Sequence, residues 1–141
     1  MELRVKRLRP SATLPQRATP HASGLDLHAC IDAPITLTRH PRLVPCGVAI
    51  EVPAGWDAQV RPRSGLTSKG VGVAFGTIDA DYRGEIFVTM WTFGDTATHE
   101  IADGDRIAQL VIVQLAFVEI VEAAELTPTD RADGGHGSTG R

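Results

Sequence analysis

The stretch Gly76-Thr77-Ile78-Asp79-Ala80-Asp81-Tyr82-Arg83-Gly84-Glu85 joins two apolar runs, 71–75 and 86–93, each of which predicts a β-strand. A hairpin tip needs only Gly or Asn, yet this stretch carries three carboxylates within seven positions. Like charges so close repel one another, a cost that a purely structural turn has no reason to accept. The stretch is either a solvated acidic turn or a functional site, and the surrounding sequence must distinguish the two.

Alternating apolar and polar residues upstream of this stretch predict an antiparallel sheet. Apolar residues recur at every second position over 48–52 and again over 56–60, with Pro53-Ala54-Gly55 as a turn between them. Residues 2–8 carry the same half-buried strand pattern. Because no helical period competes with this period of two, the sequence predicts an all-β fold.

One short helical turn is predicted at Arg61-Pro62-Arg63-Ser64-Gly65-Leu66-Thr67-Ser68-Lys69. Ser64 can cap it, and the free backbone N–H groups at a helix start bind anions. Two arginines and a lysine flank this cap, and the planar fork of arginine suits phosphate oxygens. A capped surface turn is the alternative, but the coincidence of cap, glycine and arginines favours a phosphate site.

The segment Gly70-Val71-Gly72-Val73-Ala74-Phe75-Gly76 contains no polar side chain. Only its backbone N–H and C=O groups can recognise a polar ligand, and its three glycines let that backbone approach a flat molecule closely. The alternative is a buried strand whose glycines mark bulges.

A long apolar run over residues 107–121 predicts a strand covered on both faces, by a second sheet or by a neighbouring subunit. Gln109 and Gln114 lie within this run and are predicted to be buried. A buried amide requires a hydrogen-bond partner. For Gln109 that partner is either a backbone group or water, or else a ligand.

The composition changes after Ala123, because residues 127–141 contain no large apolar side chain and residues 131–141 are rich in glycine. We expect a β-domain over residues 1–122 and a mobile glycine-rich arm over residues 123–141. Backbone N–H groups and hydroxyls in this arm suit phosphate. A disordered tail without a role is the alternative.

The 141-residue chain, with 43% hydrophobic and 22% charged residues, predicts one globular domain. Its net charge of −3 offers no broad basic face for duplex nucleic acid or for a membrane surface. Cys30 and Cys46 lack metal-ligand spacing and predict small core residues of a reduced protein. The histidine spacing does not favour zinc, and the N-terminus lacks the apolar core of a signal peptide. We expect a cytoplasmic protein.

Five short motifs in this order resemble those of the trimeric dUTP pyrophosphatase (dUTPase) family. They span almost the whole chain and read Ala22-Ser23-Gly24-Leu25-Asp26-Leu27, Arg63-Ser64-Gly65-Leu66, the stretch from Gly76 to Glu85, Gly104-Asp105-Arg106-Ile107-Ala108-Gln109-Leu110, and the stretch from Arg131 to Gly140. The resemblance implies a jelly-roll-like, distorted β-barrel with one short helix, assembled as a homotrimer whose active sites are shared between subunits.

The resemblance also implies a reaction. Such a protein hydrolyses dUTP to dUMP and pyrophosphate with Mg²⁺, limiting uracil incorporation into DNA and supplying dUMP for dTMP synthesis. Asp79 matches the acid that positions and deprotonates the attacking water, Tyr82 matches the aromatic that packs on the deoxyribose, and Asp26 matches the acid that touches magnesium through water. Residues implied to bind substrate are Arg63, Ser64, Gly65, Thr77, Ile78, Asp79, Tyr82, Phe87, Gln109, Arg131, His136, Gly137, Ser138 and Thr139, with the ring of His136 stacked on uracil.

The chain departs from the family pattern in two places. His136 stands where most members carry phenylalanine, and the stretch between Leu66 and Gly76 is shorter than in many members and lacks the asparagine often found beside the base. Residue order alone does not separate Asp79 from Asp81 as the acid that positions water; the resemblance selects Asp79. Two other functions remain open: a dCTP deaminase of the same fold family, and a non-catalytic nucleotide-binding regulator.

Overall fold

A computed structural model describes residues 1–130 and 132–134, and within them the chain forms ten β-strands and one helix. The all-β prediction with one short helix is therefore confirmed. The elements, in chain order, are β1 (Arg4–Arg7), β2 (Leu25–His28), β3 (Ile35–Leu37), β4 (Arg42–Glu51), β5 (Trp56–Arg61), α1 (Ser64–Thr67), β6 (Val71–Val73), β7 (Gly76–Ile78), β8 (Glu85–Thr92), β9 (His99–Ile101) and β10 (Arg106–Gln114).

The strands are arranged in three antiparallel sheets. The described residues form a four-stranded sheet in the order β1-β4-β8-β6, a second in the order β2-β10-β5-β7, and a pair of β3 with β9, and no closed barrel is present among them. Side chains from all three sheets pack into one core; its members include Leu27, Leu37, Val44, Val88 and Leu110. The single helix is far too short to span a bilayer, and the described residues offer no other candidate span.

Both cysteines belong to this core, as predicted. Cys30 and Cys46 are free thiols and almost completely inaccessible to solvent. Burial, reinforced by the negative charge of Glu85, raises the pKa of the Cys46 thiol to about 12. Such a thiol is inert at neutral pH, in line with a packing role.

The predicted strand over residues 71–75 is divided by a change of sheet. β6 pairs with β8, whereas β7 begins at Gly76 and pairs with β5 in the other four-stranded sheet. Ala74 and Phe75 connect the two sheets. The Phe75 side chain is exposed, and the Arg61 guanidinium lies over its ring, with Cζ of Arg61 5.6 Å from the ring centroid. The first three residues of the acidic stretch are thus strand, and the turn itself begins at Asp79.

The predicted strand over residues 107–121 ends early, and the prediction was wrong beyond Gln114. Gln114 lies opposite Trp56, the first residue of β5, so no neighbouring strand continues the pairing beyond that point. Gln114 is exposed rather than buried. Large apolar side chains beyond it are also exposed, namely Leu115, Phe117, Val118, Ile120, Val121 and Leu126.

The predicted cap of the helix was also wrong. Arg63, in an extended conformation, is the N-cap of α1, and no side chain caps the helix there. Ser64 is already the first helical residue. The Arg63 carbonyl accepts the N–H groups of both Leu66 and Thr67, so backbone alone closes the turn.

Candidate active site

The register of one sheet gathers residues from three distant segments. Gln109 on β10 lies opposite Asp26 on β2 and opposite Arg61 on β5. The chain leaves β5 at Arg61 and enters α1 two residues later, which carries Arg63 to the same end of the sheet. Residues far apart in sequence therefore surround one depression.

This depression, which we call the polar cleft, has a volume of about 250 Å³. Its lining residues are Ala22, Ser23, Gly24, Asp26, Arg63, Ser64, Gly65 and Gln109. Hydroxyl, guanidinium and amide groups dominate this lining, and such groups supply hydrogen-bond donors for phosphate oxygens. Three of the five motifs predicted from the sequence meet here.

Asp26 organises the charges of the polar cleft. Its side chain is only 13% exposed; Oδ1 lies 3.3 Å from Nε of Arg63 and Oδ2 lies 3.4 Å from an Arg106 guanidinium nitrogen. Arg63 also donates to the carbonyl of Arg106 at 3.0 Å. One carboxylate thus holds two guanidinium groups, which leaves a net positive charge for an anionic ligand.

The predicted cluster of cations around α1 is smaller than expected. Arg61 turns away from the polar cleft, because its Nε donates to Gln59 Oε1 at 3.1 Å and its guanidinium lies over Phe75. Lys69 does not line the cleft either. Arg106, which the sequence did not single out as a site residue, takes their place beside Asp26.

Gln109 is fixed in the polar cleft by a backbone partner. Its Nε2 donates to the carbonyl of Pro62 at 2.9 Å, and the residue is half-buried. A Cβ added at Gly24 would lie 2.9 Å from the Gln109 Cβ and 3.1 Å from its Cδ. Only glycine at position 24 therefore lets the two strands approach so closely, and Nε2 of Gln109 keeps a second N–H that can donate to a ligand.

His28 lies next to this cleft and is almost fully buried. Burial lowers the pKa of its imidazole below the ordinary value of 6.5; Asp26 raises that pKa, and Arg106 and Arg63 lower it further. Within the described residues, Nδ1 of His28 has no hydrogen-bond partner. The neutral form of His28 is therefore favoured in the folded protein.

A second depression, which we call the aromatic recess, surrounds the acidic turn and has a volume of about 240 Å³. Its lining residues are Val60, Gly76, Thr77, Ile78, Asp79, Tyr82, Glu85, Ile86 and Phe87. Tyr82 and Phe87 are 45% and 43% exposed, so both rings present apolar surface to a ligand. β7 forms one wall, and no strand of the described residues pairs with its outer edge, which leaves backbone groups there for a ligand.

The turn at the mouth of the aromatic recess holds Tyr82 in one position. The backbone N–H of Tyr82 donates to the Asp79 carbonyl at 3.1 Å, and its hydroxyl donates to the Glu85 carbonyl at 3.0 Å. A Cβ added at Gly84 would lie 2.5 Å from Cζ of Tyr82, so the ring folds directly over the glycine backbone. Asp79 and Asp81 are both exposed, but only Asp79 lines the recess.

The site residues predicted from sequence thus fall into two groups. Arg63, Ser64, Gly65, Gln109 and Asp26 line the polar cleft, whereas Thr77, Ile78, Asp79, Tyr82 and Phe87 line the aromatic recess. Among residues 1–130 and 132–134, none lines both depressions. Arg131, His136, Gly137, Ser138 and Thr139 lie outside the described residues.

Sequence reasoning missed several lining residues. Val60 and Ile86 enter the aromatic recess only through strand register, which a local pattern does not reveal. Ser23 and Gly24 also line the polar cleft. They lie in the same short motif as Asp26, so the sequence could have identified them as site residues. Glu85 was recognised as a third acid of the stretch but received no role.

The residues of the polar cleft fit a magnesium ion only through water. In the described part of the chain, no three His, Cys, Asp or Glu side chains converge to form a metal cage. Of the described residues that line the cleft, only Asp26 carries a carboxylate, and both of its oxygens face guanidinium groups. Magnesium keeps most of its ligands as water and substrate phosphate, so a single outer carboxylate suits this ion.

Comparisons of sequence show close relatives of this chain. A profile of the dUTPase family matches residues 10–140. The chain is 54% identical over 144 residues to the deoxyuridine 5'-triphosphate nucleotidohydrolase of Hydrogenobaculum sp. (strain Y04AAS1), covering 99% of each chain. It is 48% identical over 144 residues to the protein of the same name from Syntrophotalea carbinolica, covering 98% of this chain and 96% of that one.

Solved structures share the fold. A mutant of the dUTPase of Staphylococcus phage 80alpha superposes with a TM-score of 0.87 at 25% identity, covering 97% of this chain and 98% of the other. The 80alpha dUTPase with bound dUPNHPP gives a TM-score of 0.85 at 25% identity and covers 99% of both chains.

Proposed function

The chain belongs to the dUTPase family, and we propose that it hydrolyses dUTP to dUMP and pyrophosphate by attack of water on the α-phosphorus. The division of the candidate residues between the polar cleft and the aromatic recess carries this proposal. The cleft offers guanidinium, hydroxyl and amide donors for a triphosphate. The recess offers two aromatic rings and an edge strand for a nucleoside.

The active site is proposed to combine the polar cleft of one chain with the aromatic recess of another in a homotrimer. Two observations support this arrangement. Among the residues that the structure describes, the two depressions have no lining residue in common. In addition, Phe117 and Ile120, with 82% and 92% exposure, belong to an apolar segment that a monomer would leave in water. The free edge of β1, at the end of its sheet, offers such a segment a strand partner.

The base is proposed to be read by backbone groups of β7. We expected the backbone of residues 70–76 to contact the base. Of that segment, Gly76 lines the aromatic recess, and the wall continues along β7. Uracil presents an acceptor and an N–H donor where cytosine presents the reverse, so the wrong base leaves buried groups unpaired. A wall too close for a 5-methyl group excludes thymine.

Tyr82 is proposed to pack against the deoxyribose and to leave no room for a 2′-hydroxyl. The ring is well suited to this task because its hydroxyl and its face are both held by the turn, at Glu85 and Gly84. A fixed ring excludes a hydroxyl group better than a mobile one, since a clash is effective only when the wall cannot yield.

Asp79 is proposed to position the attacking water. Alignment of the water for in-line attack contributes more than proton abstraction, because a carboxylate is a weak base. Asp79 rather than Asp81 is assigned because Asp79 lines the recess. Mg²⁺, when bound, would neutralise charge on the phosphates, with Asp26 touching its water shell. Arg63 and Gln109 would hold the phosphates in line.

The C-terminal arm is proposed to close over the nucleotide. Arg131, Ser138 and Thr139 would donate to phosphate, together with the backbone of Gly137, while the ring of His136 would stack on uracil. We further propose a cytoplasmic location and a role in keeping dUTP out of DNA and supplying dUMP. The free, buried state of Cys30 and Cys46 fits a reducing compartment.

The direct test is release of pyrophosphate from dUTP, dCTP, dTTP and UTP at saturating Mg²⁺, with ammonia measured in parallel. We expect pyrophosphate from dUTP at least a hundredfold faster than from the other three and no ammonia. Equal rates would contradict the proposed selectivity, and ammonia from dCTP would identify a deaminase. A protein that binds dUTP without turnover would identify a regulator.

A further inference from the structure

Glu85, the third acid of the acidic stretch, has both of its polar groups engaged. Its Oε1 accepts the backbone N–H of Gly47 at 2.9 Å, and this contact is partly buried. Its carbonyl accepts the hydroxyl of Tyr82 at 3.0 Å. One residue at the start of β8 thus joins the aromatic ring of the recess to a strand 38 positions away in sequence.

The partner of the Glu85 carboxylate lies in an irregular part of β4. The register between β4 and β8 shifts between Pro45 and Ala49, and Gly47 within this bulge has a φ of +67°. A Cβ at Gly47 would lie 2.7 Å from the Sγ of Cys30 and 2.8 Å from the Cβ of Ala12. The bulge is therefore packed firmly against the core, and its freed N–H group needs an acceptor.

The remaining hydrogen bonds of the turn are internal to it. Tyr82 N–H donates to the Asp79 carbonyl, and the Arg83 guanidinium donates to the carbonyls of Ala80 and Tyr82. These bonds fix the shape of the turn but not its orientation relative to the sheets. That orientation depends on the two ends of the turn, namely β7 at Ile78 and Glu85 at β8, and on Ala80, which packs against the core.

We propose that Glu85 is a positioning residue that anchors the acidic turn to the β4 bulge and thereby fixes Tyr82 for discrimination against a 2′-hydroxyl. This inference rests on the proposed function, because it assumes that Tyr82 meets the sugar. Asp79 and Asp81 are exposed, whereas Glu85 is half-buried and hydrogen-bonded to the Gly47 N–H. Glu85 therefore acts through Tyr82 and does not contact the reacting atoms.

Three substitutions of Glu85 should affect its hydrogen bond with the Gly47 N–H differently. Glu85→Gln keeps an oxygen that can accept the Gly47 N–H, whereas Glu85→Ala removes it. Glu85→Asp keeps the negative charge but is shorter by one methylene group and withdraws the oxygen from Gly47. A role in charge predicts that Asp resembles wild type, and a role in anchoring predicts that Gln does.

The experiment measures kcat/KM for dUTP and for UTP in the full-length wild type, the three Glu85 variants and Tyr82→Ala. We expect the dUTP/UTP ratio to fall at least tenfold in Glu85→Ala, in Glu85→Asp and in Tyr82→Ala, and to stay within threefold of wild type in Glu85→Gln. A general loss of folding would lower both substrates alike and leave the ratio unchanged. If Glu85→Ala does not fold, Glu85→Asp carries the same test.

The outcomes separate the inference from its premise. A wild-type ratio in Tyr82→Ala would contradict the role of Tyr82 in the proposed function, and the inference would fall with it. A reduced ratio in Tyr82→Ala together with wild-type ratios in Glu85→Ala and Glu85→Asp would overturn the inference alone. A ratio in Glu85→Gln as low as in Glu85→Ala would overturn the anchoring role as well.

Discussion

Replacing Gly24 by alanine tests whether close packing between β2 and β10 holds Gln109 in the polar cleft. The new Cβ would lie 2.9 Å from Cβ of Gln109 and 3.1 Å from its Cδ. Because the Gln109 Cβ is fixed by strand β10, rotation of the amide alone cannot relieve the overlap. The two strands must therefore move apart, and the displaced Gln109 side chain gives up its hydrogen bond to the Pro62 carbonyl.

The expected loss of stability can be worked from these contacts. Overpacking of this kind costs about 1–3 kcal/mol, and the lost hydrogen bond costs about 0.5–1.5 kcal/mol. The sum, about 1.5–4.5 kcal/mol, corresponds to a fall in melting temperature of roughly 5–14 °C, since 1 kcal/mol shifts the melting temperature of a chain of this size by about 3 °C. Displacement of Gln109 from phosphate should also raise KM for dUTP about 10-fold or more, since a hydrogen bond to a charged group contributes about 1.5–3 kcal/mol.

The assay is thermal unfolding at one fixed protein concentration, combined with steady-state hydrolysis of dUTP. Gly65→Ala is the matched control for stability, because a Cβ at Gly65, also in the polar cleft, meets no atom within 4 Å. Its helical position should make alanine neutral or slightly stabilising. A Gly24→Ala protein with the melting temperature and KM of wild type would refute the proposed packing of Gln109.

Three further predictions address the arm, the cleft charges and the buried histidine. Truncation before Arg131 should leave a protein whose mass by light scattering is that of a trimer, but should reduce the rate of pyrophosphate release at least a hundredfold. Full activity of the truncated protein would mean that the arm is only a linker. Asp26→Asn should raise the Mg²⁺ concentration for half-maximal activity severalfold. The substitution removes the carboxylate that Arg63 and Arg106 share, so their positive charges are no longer balanced at the place where the ion would bind. An unchanged Mg²⁺ titration would contradict the role of Asp26. Burial lowers the pKa of His28 in the folded state, so the unfolded chain takes up a proton first as the pH falls below about 6.5. The contribution of neutral His28 to the free energy of unfolding is therefore intact above that pH. It is lost between that pH and the lower folded pKa, at up to about 1.4 kcal/mol per pH unit. His28→Gln should flatten denaturant-derived stability between pH 7 and 5, and an unchanged slope would contradict this assignment.

Local patterns predict the strands in which large apolar residues recur at every second position of the sequence, although burial itself does not alternate in β4. The period of two over residues 48–60 predicted β4 and β5, and the helical turn predicted over residues 61–69 contains the one helix of the described residues. The end of β10 was not predictable, because it depends on where β5 begins at Trp56, a partner far away in sequence. The apolar residues beyond Gln114 have the composition of a buried strand, but in the described part of the chain their side chains are exposed.

Several residues of the candidate site could be named from the sequence, but their positions relative to one another could not. The motifs named Asp26, Arg63 and Gln109, but only strand register brings them to one cleft. The cap at Ser64 failed because an arginine in an extended conformation can precede a helix without any side-chain acceptor. The partner of Glu85, the N–H of Gly47, depends on a bulge that no local pattern in the sequence indicates.

The central claim is that the Asp79 carboxylate aligns water at the α-phosphorus without being needed for binding. The most direct measurement compares turnover of dUTP with affinity for the slowly hydrolysed analogue dUPNHPP in Asp79→Asn, with Asp81→Asn as the matched control. We expect Asp79→Asn to bind the analogue within about threefold of wild type and to lose about 10²–10⁴ in kcat, while Asp81→Asn stays close to wild type. An Asp79→Asn protein with wild-type turnover, or an equal loss in Asp81→Asn, would contradict the claim.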